Sequence, residues 1–315
     1  MIARASIPQD NSLHGVVLGA ADSPADVPHQ LKLSFSSDAL NFRRSPAWEH
    51  VDQGPRFSSR VALHRHPEGW VLEIDCEGKG DFLIRPDGIE VHWRAGTDPW
   101  HYLQTLGIAV YLELKGVLCL HANTLESQGQ AIGLVAPSRT GKSTATAAFA
   151  VAGWRMLSDD MAAVHHSADS WYVYSSRSQT RLWPDAGEYF HGAAYGACDR
   201  VHARFEKRTV TLNATAQGDA QAPYPLRRLY LLERSTATHG PLSILPVNAA
   251  EAALVLLRNS IVGEAAGVLG IEAQRLGAVA KLASSVSLKK VIYPSGFERL
   301  DALRGAIEQD LCMSQ

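Results

Sequence analysis

Ile132-Gly133-Leu134-Val135-Ala136-Pro137-Ser138-Arg139-Thr140-Gly141-Lys142-Ser143-Thr144 runs on through an alanine-rich segment to Gly153, then Trp154-Arg155-Met156-Leu157-Ser158-Asp159-Asp160. The apolar run Ala131 to Val135 predicts a buried strand. A loop follows, and Gly141-Lys142-Ser143 opens a helix predicted over Ser143 to Ala152. That order of strand, loop and helix is the context in which G-x-x-x-x-G-K-[ST] carries a mechanism. Position 136 is Ala where the pattern has Gly. Unpaired N–H groups converge at a helix start, and the helix dipole adds partial positive charge there. Gly141, without a Cβ, lets the backbone curl close to phosphates. Lys142 supplies an ammonium to the outer phosphates, and Ser143 a hydroxyl for a magnesium ion. The alternative is an ordinary strand-to-helix turn that happens to contain Gly-Lys-Ser.

Gly153 suits a helix C-cap, and Arg155 to Leu157 starts a further strand ending at Ser158-Asp159-Asp160. A strand reached through a crossover helix is expected in the same sheet, parallel to the first. Its carboxyl end then lies near the loop. Two adjacent acids have a use there: Asp160 to orient Mg2+, and Asp159 to take a proton from an attacking hydroxyl. Alone, the pair would more often cap a turn.

Leu120-His121-Ala122, the loop some fifteen residues on, the helix ending at Gly153 and the Ser-Asp-Asp strand together resemble the catalytic domain of HPr kinase/phosphorylase and its shorter relatives, which include kinases of lasso-peptide precursors. The resemblance is strong from Val117 to Val164 and continues in style through Arg181 to Asp185, Pro225 to Tyr230 and Tyr293-Pro294. It implies an α/β fold with a P-loop nucleotide-binding core similar to that of phosphoenolpyruvate carboxykinase. It implies ATP and Mg2+, and transfer of the terminal phosphoryl group to a serine of a small protein or peptide, including the C-terminal residue of a lasso-peptide precursor. It implies a site role for His121 near the phosphates, where the residues alone allow a structural histidine. Homo-oligomers occur in the family. Three departures stand out. Arg139 replaces a usual Gly, either as an added phosphate contact or as the mark of a differently shaped loop. An Arg-Gly-rich second signature has no counterpart. The front of the chain differs from that of full-length HPr kinases. A small-molecule kinase and a nucleotide-binding regulator without transfer are the alternatives.

The chain has 315 residues, 46 % of them hydrophobic, and a net charge of -2. That is ample for a core, and it predicts one large domain or one large and one small. We expect a β-rich N-terminal domain over 1–98 and the catalytic domain over 99–315. No block of charge calls for nucleic acid or an anionic membrane. Four scattered cysteines form neither a metal spacing nor a disulfide framework, so a reducing cytoplasm is expected. No signal peptide is expected at Met1 to Ser12, and no apolar run approaches the ~20 residues of a membrane span.

Along the N-terminal part, Leu31 to Phe35 alternates as a strand, and two hairpins are expected, at 60–74 and 81–93. His64, His66 and His92 lack an evident carboxylate or cysteine partner, so no metal site is expected. His101 to Lys115 has helical spacing, Val117 to Leu125 reads as one strand, and Gln128-Gly129-Gln130 as a hairpin turn. Met161 to Val164 is expected to continue the Asp-Asp strand and to pair with Trp171 to Tyr174. Arg181 is a candidate phosphate or substrate contact, and Asp185 a candidate magnesium ligand; as bare residues both are more often solvated surface charges. Tyr189 to Ala203 is a loop, mobile over the site or plain. Lys207 and Arg208 are either the remaining cations for the transferring phosphoryl group, whose spreading charge needs positive clamps, or a plain lysine-arginine strand edge. Leu226 to Glu233 predicts a central strand. Asn248 caps a helix with Leu254, Leu257 and Ile261 on one face. A helix at Ile271 to Ser284, a strand at Leu288 to Tyr293 and a helix at Phe297 to Leu311 complete the chain.

Overall fold

The computed structural model describes residues 12–14, 16–20, 30–42, 45–53, 58–137, 140–176, 179–201, 206–212, 222–235 and 240–313. Its described residues form a mixed α/β structure with two large sheets and a two-stranded ribbon.

The first sheet holds β1 (Ser12–Leu13), β2 (Val16–Ala20), β3 (Gln30–Ser36), β4 (Trp48–Gln53), β5 (Ser58–His66), β6 (Gly69–Asp75), β7 (Gly78–Arg85) and β8 (Gly88–Gly96), in the order β1-β2-β3-β8-β7-β6-β5-β4. Both expected hairpins are present, β5–β6 and β7–β8, in antiparallel register. Alternation puts Leu63, Leu72, Ile74, Phe82, Ile84, Ile89 and Val91 into one core. His64 does have a carboxylate partner: its Nε2 lies 2.9 Å from Glu73, a cross-strand neighbour that spacing along the chain could not reveal.

A helical segment joins the two sheets. It comprises α1 (Trp100–Tyr102), one π-helical turn (Leu103–Gly107) and α2 (Ile108–Leu114). Its buried residues, Leu103, Ile108, Ala109 and Leu112, complete the first core, together with Cys119, Met161 and Ala163 from the second sheet.

The second sheet is built from β9 (Leu118–Leu120), β10 (Ala122–Ser127), β11 (Gln130–Val135), then β12 (Arg155–Ser158) after α3 (Lys142–Val151), and β13 (Ala162–Ser167) with β14 (Ser170–Tyr174). The ribbon β15 (Gln179–Leu182) pairs with β16 (Arg208–Thr211), and α4 (Pro184–His191) lies between them in sequence. β17 (Pro223–Arg234), β18 (Ser243–Pro246) and β19 (Ser287–Tyr293) finish the sheet. The last helices are α5 (Ala249–Arg258), α6 (Ala266–Leu269), α7 (Glu272–Ser285) and α8 (Leu300–Cys312). The path runs β12-β10-β11-β17-β14-β13-β9, with β19 also on β17 and β18 on β19. β17 is central as expected, parallel to β11 and to β19.

Helices cover both faces. α3, α4 and α8 pack with Ile132, Leu134, Tyr230 and Val291, whereas α5 and α7 pack with Leu120, Val135, Leu229 and Leu288. Each face thus buries the alternate residues of the same strands, which is why these strands read as continuous apolar runs.

Several expectations need correction. Val117 to Leu125 is two strands, broken at His121, whose backbone N–H donates to Asn259 outside the sheet (2.6 Å). Met161 to Val164 does not continue the Asp-Asp strand: the chain turns at Asp160, which has φ +60°, and β13 pairs with β14 as expected, through His165 to Ser167, and with β9 through Ala162 to Val164. β12 lies in the sheet as expected, but with β10 between it and β11. Tyr189 to Ala197 is helical, not a loop. Leu254 is 54 % exposed; α5 buries Ala252 and Leu256 instead. No described helix is long and apolar enough to cross a membrane.

Candidate active site

Four strands point the same way at one edge: β11, β17 and β19 are mutually parallel, and β12, two antiparallel steps from β11, shares their direction. Their carboxyl ends supply the site, as the crevice rule for α/β sheets predicts. β11 delivers the loop to Gly141, β12 delivers Asp159, β17 delivers Arg234, and β19 delivers Tyr293. Arg234 Nε and the Tyr293 hydroxyl both donate to the Thr140 carbonyl at 2.9 Å. They hold the loop from the side, and neither was read as a site residue, since nothing local marks them.

Gly141 has φ +98°, a left-handed conformation that an L side chain resists. A Cβ there would also sit 2.7 Å from Arg234 Nη2. α3 begins immediately after it with no side-chain cap. Among the described residues no side chain takes its first-turn amides, which is the condition for anion binding at a helix start. Lys142 is buried at 6 % exposure. Burial lowers its pKa, partly offset by the charges of Asp160 and Asp159. Its Nζ donates to the His121 carbonyl (3.3 Å). Ser143 and Thr144 sit part-exposed in the first turn. Ser138 and Arg139 lie outside the described residues.

The acid pair is tied to α3 by Asn123, a fully buried amide in β10. Its Nδ2 donates to Asp159 Oδ1 (2.6 Å) and to Thr146 Oγ1 (2.8 Å), while its Oδ1 accepts from the Asp160 N–H (3.0 Å). The Thr146 hydroxyl donates in turn to the Lys142 carbonyl. Asp159 Oδ2 accepts from the Thr180 hydroxyl (2.9 Å) and the Arg181 N–H (3.3 Å). Asn123 was missed, although an Asn beside a Thr on the buried half of a strand is a signal, because buried polar groups need partners.

The two carboxyls are held apart electrostatically. Burial, then the neighbouring Asp160 charge, pushes Asp159 up to about 7. Burial pushes Asp160 up as well, but Lys142, His121, Arg181 and Lys207 outweigh it, and its carboxyl stays below the usual range. A carboxyl near 7 beside one held anionic is a pair in which one group can take a proton while its neighbour keeps its charge. His121 Nδ1–H donates to the Asp160 carbonyl (3.1 Å), which leaves Nε2 as the open nitrogen. Burial, then Lys142, lowers its pKa, which favours the neutral ring.

The other candidates divide. Arg181 sits 4.0 Å from Asp160 and is braced by the His101 ring. Lys207 lies over the Trp183 ring at 5.2 Å, and its charge reaches Lys142 and Asp160. Arg208 turns elsewhere, donating to the Cys198 carbonyl and lying over Tyr195. Asp185 accepts from the Ala186 N–H (2.8 Å) at the start of α4, a local turn contact. No group of three or more metal-ligating side chains occurs among the described residues.

No family model matches the chain, and no curated protein matches its sequence. Among solved structures, the Hpr(Ser) kinase/phosphatase from Coxiella burnetii is similar, at 11 % identity and a TM-score of 0.32, over 62 % of this chain and 99 % of that one. Likeness of that degree decides neither fold nor activity.

Proposed function

We propose that this protein is an ATP-dependent kinase that transfers the terminal phosphoryl group to a hydroxyl. One observation carries the reading: Asn123 fastens an acid pair of split pKa to the uncapped, lysine-bearing start of α3. The fit to a nucleotide's phosphates lies in the open amides of that helix, the left-handed Gly141 and the buried Lys142. Gly141, Lys142, Ser143 and Thr144 would hold the phosphates, and Ser143 with Asp160 would hold Mg2+, which supplies positive charge for the phosphoryl oxygens. Asp159 accepts the acceptor's proton on a carboxylate oxygen. Asn123, Thr180 and the Arg181 amide fix its orientation. Arg181 and Lys207 add positive charge on the same side.

Family resemblance makes the acceptor a serine of a small protein or peptide. The small volume of the part-open cavity described below favours the small-molecule alternative. Either way, Asp159→Asn should lower kcat by on the order of 10²–10⁴, the span of general-base catalysis, with ATP affinity kept. Label transfer from ATP to serine-ended peptides and small hydroxylated compounds, read by mass, measures it. A near wild-type rate in that variant would remove Asp159 as the base.

A further inference from the structure

A cavity of about 180 Å³ opens beside the acid pair, and no residue of α3 lines it. Asp159 and Asp160 line it, and Asp98, Gln104, Arg181 and Arg200 are among the residues around them. Its size is similar to that of an engineered cavity of ~150 Å³ that takes up benzene. It suits a compound of about six to ten heavy atoms, not a folded loop with its flanking chain.

Three features mark it as a built site. Gln104 stands on the single π-helical turn, Leu103–Gly107. Such turns recur where a side chain has been turned toward a function. The Gln104 Nε2 is buried with no hydrogen-bond partner among the described residues. An unpaired buried donor is destabilising unless an acceptor arrives. Two guanidiniums, Arg181 and Arg200, face the same space as the acids. Arg200 has no side-chain hydrogen bond or ion pair among the described residues, and it sits on the exposed rim. One wall, from Thr97 to Thr105, comes from the end of β8 and the helical segment between the two sheets. The N-terminal sheet thus contributes directly to the space in front of the acids.

We infer that this cavity is the acceptor pocket and that it takes a free small molecule carrying a hydroxyl and, a few bonds away, an oxyanion. The inference rests on the kinase reading above. Gln104 and Arg200 bind the oxyanion end, and the hydroxyl lies toward Asp159. In the reaction, the hydroxyl oxygen bonds to the terminal phosphorus of ATP. The bond from that phosphorus to its bridging oxygen breaks, ADP leaves with the electron pair, and the hydroxyl proton passes to Asp159.

The full chain with ATP and Mg2+ is offered D-glycerate, L-serine and sn-glycerol 3-phosphate. Two serine peptides are run beside them, one blocked at both ends and one ending in a free C-terminal serine. Products are read by mass. The expected result is transfer to a free small molecule and none to the blocked peptide. Gln104→Leu should raise the KM for that acceptor at least tenfold, and Arg200→Ala about fivefold, with the KM for ATP unchanged. Arg200, on the rim, serves if Gln104→Leu fails to fold. Transfer to peptides alone overturns the inference, as does an unchanged acceptor KM in both variants. Lys142-dependent ATP binding with no small acceptor phosphorylated overturns it too, and leaves the nucleotide reading standing. Absence of ATP binding in the wild-type chain overturns the kinase reading itself.

Discussion

Asp310 and Asp160 both sit among cations, and their surroundings differ. Asp310, in α8, accepts from Lys289 Nζ (2.5 Å), Arg228 Nη1 (2.6 Å) and the Tyr230 hydroxyl (2.8 Å), so that β17 and β19 grip the last helix. Asp160 faces Lys142, His121, Arg181 and Lys207, yet its ion pair to Arg181 is 4.0 Å long and its backbone is left-handed. Two helix starts repeat the contrast. Asn248 caps α5 by accepting from the Glu251 N–H (2.9 Å), whereas Gly141 leaves α3 uncapped. Where charges and amides are satisfied internally, the groups hold the fold. Where they are left long, strained or open, they await something from outside.

The sharpest break of that comparison is Lys142→Ala. ATP binding and turnover should fall by on the order of a hundredfold or more, while the thermal midpoint holds or rises, because a buried cation that feels both acids but makes no direct ion pair among the described residues is removed. A midpoint drop as large as that of an Asp310 variant would erase the distinction. Asp310→Ala should cost about 3–5 kcal/mol, the usual loss on breaking a buried pair, with nucleotide affinity intact in the folded fraction. Urea titration and ATP titration on the same sample separate the two effects.

The clasp also has a pH signature. Burial pushes Asp310 up, but Lys289, Tyr230 and Arg228 together hold its carboxyl below the ordinary 3.8. Its folded pKa is therefore depressed, so its contribution is full well above 3.8 and is lost as pH falls through 3.8 and below. The stability gap between wild type and Asp310→Asn should be constant near neutrality and shrink in acid. A gap that widened there would contradict the clasp.

Smaller effects sharpen the helix comparison. Gly141→Ala should cost about 1–2 kcal/mol from the left-handed backbone and weaken ATP binding severalfold through Arg234. Asn248→Ala should cost about 1 kcal/mol and leave ATP binding alone. Calorimetry with and without ATP reads both, and equal ATP effects would make the two helix starts alike.

Much of the second sheet was legible because its strands are apolar runs bounded by turn residues. The Asp pair and Gly-Lys-Ser were legible because their mechanism demands contiguous residues. The partners that hold them were not. Asn123, Thr180, Arg234 and Tyr293 lie up to about 150 residues from what they touch, as the 153-residue separation of Tyr293 from Thr140 illustrates. The single strand expected over Val117 to Leu125 failed for a related reason. His121 breaks it by bonding to Asn259, a contact that local pattern does not encode. Lys207 and Arg208 were equal as letters; the charge of one reaches Asp160, and the other donates to a carbonyl.

By itself the sequence determined the alternation of strands and helices, the glycine at a left-handed corner, and the acids at a strand's end. All of these follow from local sterics and periodicity. Only the tertiary structure decided that four strand ends meet, that one carboxyl is pushed to about 7 while its neighbour stays ionised, and that a cavity opens between the N-terminal sheet and both of them. Burial and Coulomb interactions depend on distance in space, and the fold alone sets that distance.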